Sequence, residues 1–258
     1  KYVSDVYTLS DELYKKSNSA YATDEDKLVN QYIYSITSDM GELYAERRAV
    51  QNDSSLSKAE KYAKTQAIKD KINALAKEGL DGYKNVNKTE NYAIVGGREF
   101  NKYTTNDGEE RWGSVYEDVL EEMNSLGMEL EEKSEFFTAQ KAISATQSSY
   151  DGTTDYANKK RDIISIIKDT NLTDDQKAYL YDKYYASTET LNAVTTLGID
   201  FNSYLDFESQ EFEADVDRNG KTISGSKKKK VFEYINSMDI DFEQKLVLAK
   251  LQYNSYDE

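Results

Sequence analysis

This sequence predicts a mainly α-helical chain, and three observations predict it. Apolar and long side chains recur at helical spacing, most clearly at Leu28, Tyr32, Ile36, Met40, Leu43 and Arg47. Helix-start signals precede such runs: Ser57 with Glu60, Thr173 with Gln176, and Asp241 with Gln244. The stretch Asp151–Ser187 is also echoed 68 residues later. At that offset Lys159, Lys160, Ile167, Gln176, Lys177, Leu180, Tyr185 and Ser187 fall on Lys227, Lys228, Ile235, Gln244, Lys245, Leu248, Tyr253 and Ser255. A period near 70 residues suggests a repeated supersecondary unit that stacks on its neighbours. The expected fold is helical hairpins with an internal repeat of about 70 residues and one small β-hairpin. It divides into an N-terminal helical hairpin region (1–91), a β-hairpin insert (92–113), a first helical repeat (114–196) and a second (197–258).

The elements follow in order. Residues 1–22 read as a short helix with a loose end at Ser17, Asn18 and Ser19. A strong helix runs from about Asp24 to Val50, with Thr23 as its cap and Asp24, Glu25 and Asp26 at the favourable end of its dipole. The capping box at Ser57 and Glu60 opens a second helix, with Ala59, Ala63, Ile68, Ile72 and Leu75 facing inward and Gly79 just past its end. The short link makes these two an antiparallel pair. Tyr92–Val95 is β-prone, and Asn106-Asp107-Gly108 between two such runs predicts a hairpin anchored by Trp112, the only tryptophan. Gly96-Gly97 lacks the third glycine, following helix and lysine of a phosphate loop.

Helix returns from Val115 to Ser125 and stops at Leu126-Gly127-Met128, a tripeptide type that recurs as Leu197-Gly198-Ile199. Each copy then continues with a helix, a glycine turn (Gly152 with Thr154, Gly220 with Thr222) and a helical hairpin. Ile163, Ile164, Ile167, Leu180 and Tyr184 form the inward face of the first hairpin, and Val231, Ile235, Leu248 and Leu251 that of the second.

Composition narrows the chemistry. The 258 residues contain no Pro, His or Cys, and the net charge is −15. Disulfides, thiolate zinc sites and His-based triads are therefore excluded. Taken whole, the chain repels nucleic acid and anionic lipid. No apolar run approaches the ~20 residues of a membrane helix. The 22 Tyr can line a core or a contact surface; the plainer reading is Tyr standing in for Phe. A first residue of Lys1 is expected of a piece of a longer protein or a processed product.

Two stretches are candidate sites. Asp215, Asp217, Asn219 and Gly220 have the spacing of the first half of an EF-hand calcium loop, whereas position twelve is Ser226 rather than a bidentate Glu. The loop is either a calcium site or a plain Asn-Gly turn. Lys227, Lys228, Lys229 and Lys230 form a cationic run that could meet DNA or another anion, or pair with the chain's own carboxylates. Adjacent acids such as Glu121-Glu122 do not share a helix face, and no constellation defines a catalytic residue.

The segment Asp217–Val231 followed by Tyr234-Ile235-Asn236-Ser237-Met238 resembles a module near the ends of very long tail, ejection and large polyvalent proteins of phages that infect low-GC Gram-positive bacteria. The Ser55–Lys61 turn and the Tyr92–Trp112 strands look like parts of such proteins as well. The resemblance is most specific over residues 197–255. It implies a non-catalytic, helical part of a virion or DNA-delivery protein that contacts other subunits or the rest of a longer chain, in the virion or host cytoplasm. The alternatives are a bacterial surface or secreted binding module, calcium-stabilised or not, and a phage enzyme fragment.

Overall fold

The computed structural model describes residues 1–150, 152, 155–185, 196 and 198–253, the last three without their side chains. The positions Asp151, Thr154, Ser187, Leu197 and Ser255, and the side chains of Leu251 and Tyr253, lie outside the described residues. The chain is 65% helical, with ten helices and one small four-stranded antiparallel sheet among the described residues. It divides into two compact units, 1–122 and 123–258.

The first unit holds α1 (Tyr2–Ser17), α2 (Asp24–Asn52) and α3 (Lys58–Gly82). Thr23 and Asp26 form a reciprocal capping box at the start of α2, and Ser57 and Glu60 do the same for α3. The α2–α3 pair is antiparallel: Tyr32 donates to the Glu78 carbonyl at one end, and Lys61 donates to the Gln51 carbonyl at the other. The core joins Val6, Leu28, Tyr32, Ile33, Ile36, Met40, Ile68, Ile72 and Ala76 to Val95, Phe100 and Trp112 of the sheet.

Three expectations for this unit are corrected. Ala59 and Ala63 are exposed, because the buried stripe of α3 runs instead through Ile68, Ile72, Ala76 and Gly79. Gly79 does not end the helix. It lies inside α3, where a Cβ would sit 3.1 Å from Ile36 and 3.2 Å from Val6, so its small size lets α1 and α2 approach. The single β-hairpin is a four-stranded meander: β1 (Val86–Lys88), β2 (Tyr92–Val95), β3 (Arg98–Thr104) and β4 (Glu110–Ser114). Val95 pairs with Arg98, so Gly96-Gly97 is a two-residue turn with φ of +56° and +86°, the left-handed geometry that suits the twist of a hairpin. β1 is three polar-flanked residues whose strand geometry comes from pairing with β2, which leaves no alternation to read.

The chain passes through α4 (Glu117–Ser125), which crosses the boundary of the units, into α5 (Leu130–Ser149), α6 (Tyr156–Lys168), α7 (Asp174–Tyr185), α8 (Phe201–Glu208), α9 (Ser226–Ser237) and α10 (Phe242–Tyr253). Gly127 at φ +64° stops α4, and the Met128 amide reaches back to the Met123 carbonyl at 3.0 Å. The second unit buries Phe136, Ile143, Ile163, Ile164, Ile167, Leu180, Phe201, Leu205, Val231, Ile235 and Leu248. No described helix is long and apolar enough to cross a membrane.

Candidate functional site

A cleft of the first unit, about 890 Å³, is built by three elements. The buried face of α2 carries Leu28, Tyr32, Ile33 and Ile36, so Lys27, Asn30, Gln31 and Tyr34, spaced three and four apart, line up on the opposite side. The last turn of α1 and the cap residue after it add Tyr14, Ser17 and Asn18, and the β3–β4 hairpin adds Tyr103 and Glu109–Trp112. Trp112 is only 4% exposed, because its Nε1 donates to Asp24 Oδ1 at 3.0 Å and its ring packs in the core. Lys102 pairs with the same Asp24 oxygen at 3.2 Å and lies 5.0 Å from the centre of the indole ring. Burial alone would raise the Asp24 pKa, but the hydrogen bonds from Lys102 and Trp112 outweigh it and lower it. The floor of the cleft is thus pinned by an ionic and hydrogen-bonded joint between α2 and the sheet.

The tyrosines divide into two populations. Tyr32, Tyr92, Tyr181 and Tyr204 are core residues, as Phe would be, whereas Tyr14, Tyr34 and Tyr103 are exposed in the cleft. Periodicity separates Tyr32 from Tyr34 on α2, so that signal was present in the sequence. The meeting of Tyr14 and Tyr34 with Tyr103, far along the chain, was not.

In the second unit, the loop before α9 is closed by its own side chains. Asp217 Oδ1 accepts from the amides of Asn219 (2.8 Å) and Lys221 (2.9 Å), Val216 bridges Thr222, and Gly220 takes φ +76°. Asp215 Oδ1 pairs with Lys230 Nζ at 2.6 Å, and the Ser226 hydroxyl meets the Asp215 amide at 2.7 Å. The carboxylates therefore serve the turn and the start of α9. No group of three or more His, Cys, Asp or Glu among the described residues is placed to hold a metal.

Lys227–Lys230 occupy the first turn of α9, the electropositive end of the helix dipole. Lys230 answers with Asp215 and the Glu213 carbonyl, Lys229 with Glu233 at 3.6 Å, and Lys227 and Lys228 also have partners. Thr173 and Gln176 form a reciprocal capping box at the start of α7, as do Asp241 and Gln244 at the start of α10. Gly152 adopts φ +80° in open space.

Sequence reasoning did not find Glu208. Its carboxylate receives Lys160, the Tyr181 hydroxyl at 3.1 Å and the Tyr204 hydroxyl, beside a cavity of about 150 Å³. Burial, and then the Glu208 charge, push both phenols above their ordinary value, so they stay protonated and donate. The Glu208 carboxylate thereby ties α6, α7 and α8 together.

Compared with known proteins, the chain matches no family model, no curated protein and no solved structure.

Proposed function

We propose that this chain is a non-catalytic structural and interaction module of a large phage virion or DNA-delivery protein, built partly from two copies of a helical unit of about 70 residues. The observation that carries the repeat is a set of matched joints 68 residues apart. α7 covers 174–185 and α10 covers 242–253. Lys177 Nζ donates to the Lys168 carbonyl at 3.2 Å, and Lys245 Nζ donates to the Asn236 carbonyl at 2.8 Å. Each lysine thereby closes the end of the preceding helix from the first turn of the next. Gly152 and Gly220 share a left-handed conformation. At an offset of 71, Gly127 and Gly198 take φ of +64° and +63°, and α5 and α8 begin at 130 and 201.

Units of this kind stack on one another or on further copies, which suits a long assembly protein. The phage assignment rests on the resemblance over residues 197–255, and contacts to other subunits or to the remainder of a longer chain follow from it. Mass spectrometry of purified phage particles tests it. Abundant peptides of this chain, in fixed ratio to the capsid protein, support the reading; peptides confined to the lysate overturn it. The open cleft of the first unit favours a second reading, a bacterial surface or secreted binding module, and that outcome would turn attention to it.

A further inference from the structure

We infer that the cleft of the first unit binds a neutral oligosaccharide. This rests on the reading of the chain as a binding module and names the ligand chemistry. A sugar ring offers C–H groups on its face and hydroxyls around its edge. Recognition therefore asks for exposed aromatic faces interleaved with planar hydrogen-bonding groups.

The cleft supplies both. Tyr14, Tyr34 and Tyr103 are 64%, 61% and 44% exposed. The Tyr103 ring is seated across Gly113 on the neighbouring strand, where a Cβ would come within 2.9 Å of it, so glycine leaves room for the ring to lie flat against β4. Beside these faces, the Asn30 and Gln31 amides and the three phenols line the cleft and supply hydrogen-bond donors and acceptors there. Arg111 pairs with Glu109 at 2.8 Å on the exposed rim, and its remaining N–H groups can bridge adjacent hydroxyls.

Charge decides between ligand classes. Lys27 and Arg111 balance Glu109 and Glu110, so the cleft is neutral on a chain of net charge −15. A polyanion, whether nucleic acid or an acidic glycan, would meet no cationic surplus there and would be repelled by the rest of the surface. Not one aliphatic side chain lines the cleft, so its apolar surface is aromatic and its remaining lining is polar, the mixture a sugar ring meets with its C–H face and its hydroxyl edge. At about 890 Å³ it is of the size that holds small ligands, and it is open at the surface.

The test is calorimetric titration of the full chain with cellotetraose, maltotetraose, mannotetraose and chitotetraose. At least one is expected to bind. Tyr34→Ala should weaken it by about tenfold or more without lowering the melting temperature, since Tyr34 is exposed and Ala is the better helix former. Tyr62→Ala, which removes a still more exposed tyrosine of α3 outside the cleft, should change nothing. Absence of binding across the panel, binding that survives Tyr14→Ala combined with Tyr34→Ala, or tighter binding of heparin than of every neutral sugar would each overturn the inference. A chain that is abundant in particles yet binds no sugar would sink this inference alone, and a chain that binds sugar yet is missing from particles would sink only the virion reading.

Discussion

Trp112 Nε1 donates to Asp24 Oδ1 at 3.0 Å, tying the fourth strand to the first turn of α2 across 88 residues of chain. The contact closes the first unit, because the same carboxylate also receives Lys102 and Lys88. Replacing Trp112 with Phe keeps much of the apolar bulk and removes the donor. The expected cost is about 1–3 kcal/mol, read from urea unfolding followed by circular dichroism. An unchanged midpoint would show that the two lysines alone hold the joint.

The turn at Gly96-Gly97 offers a paired test. A Cβ at Gly96 would lie 2.9 Å from the Gly82 Cα and would press on Tyr32, whereas Gly97 faces open space. Both have positive φ. Gly97→Ala should therefore cost only the conformational strain, about 1–2 kcal/mol, and Gly96→Ala that strain plus about 1–3 kcal/mol of overpacking. Equal melting temperatures for the two variants would refute the close approach of sheet and α3.

Acid stability depends on Asp26. The hydrogen bond from Lys16, followed by that from the Thr23 amide, holds its carboxyl down from 3.8 to about 2. A depressed carboxyl stabilises the fold above its unfolded value and loses that contribution as pH falls through the folded one. Stability should decline between about pH 4 and pH 2. In Asp26→Asn the decline over this window should be shallower, as measured by melting temperature against pH.

Tyr32 sets a counterpart at the alkaline end. Burial, and then the Glu78 charge, push its phenol from 10.0 up to about 12. The neutral phenol belongs to the fold, so stability is retained below pH 10 and lost as pH rises toward 12. Titration by tyrosinate absorbance should show the exposed tyrosines ionising first, followed by a late phase to which Tyr181 and Tyr204 also contribute and whose amplitude is smaller in Tyr32→Phe.

The matched lysines predict matched energetics. Lys177 is 6% exposed and also donates to Asn202, so Lys177→Met should cost about 1–3 kcal/mol. Lys245 is half-buried, and Lys245→Met should cost less in the same direction. Calcium added to the wild-type chain should leave the melting temperature unchanged, because Asp215 and Asp217 are engaged by Lys230 and by the loop's own amides. A calcium-dependent rise would favour the cation reading of that loop over the plain turn.

Much of the helical layout was legible. Thr23 with Asp26 and Thr173 with Gln176 act through residues three apart, so local chemistry alone marks those starts. The stripe Leu28, Tyr32, Ile36 and Met40 was readable for the same reason. Gly79 misled, because a glycine near a helix end has the same local appearance whether it caps the helix or admits a neighbour. β1 went unseen because its three residues carry no alternation of their own. The cleft was half visible: the spacing of Lys27, Asn30, Gln31 and Tyr34 put them on one face, but nothing local joined them to Tyr103 and Arg111.

By itself, the sequence determined the predominance of helix, the positions of the capped helix starts, the exclusion of thiol and imidazole chemistry, and the surplus of negative charge. These are consequences of composition and of contacts within a turn or two of the chain. Tertiary structure alone decided that Val86–Lys88 becomes a strand, that Asp24 meets Trp112, that Lys160 meets Glu208, and that three tyrosines share one cleft. Each depends on residues brought together by packing over tens of positions, and separation of that length leaves no period in the sequence to read.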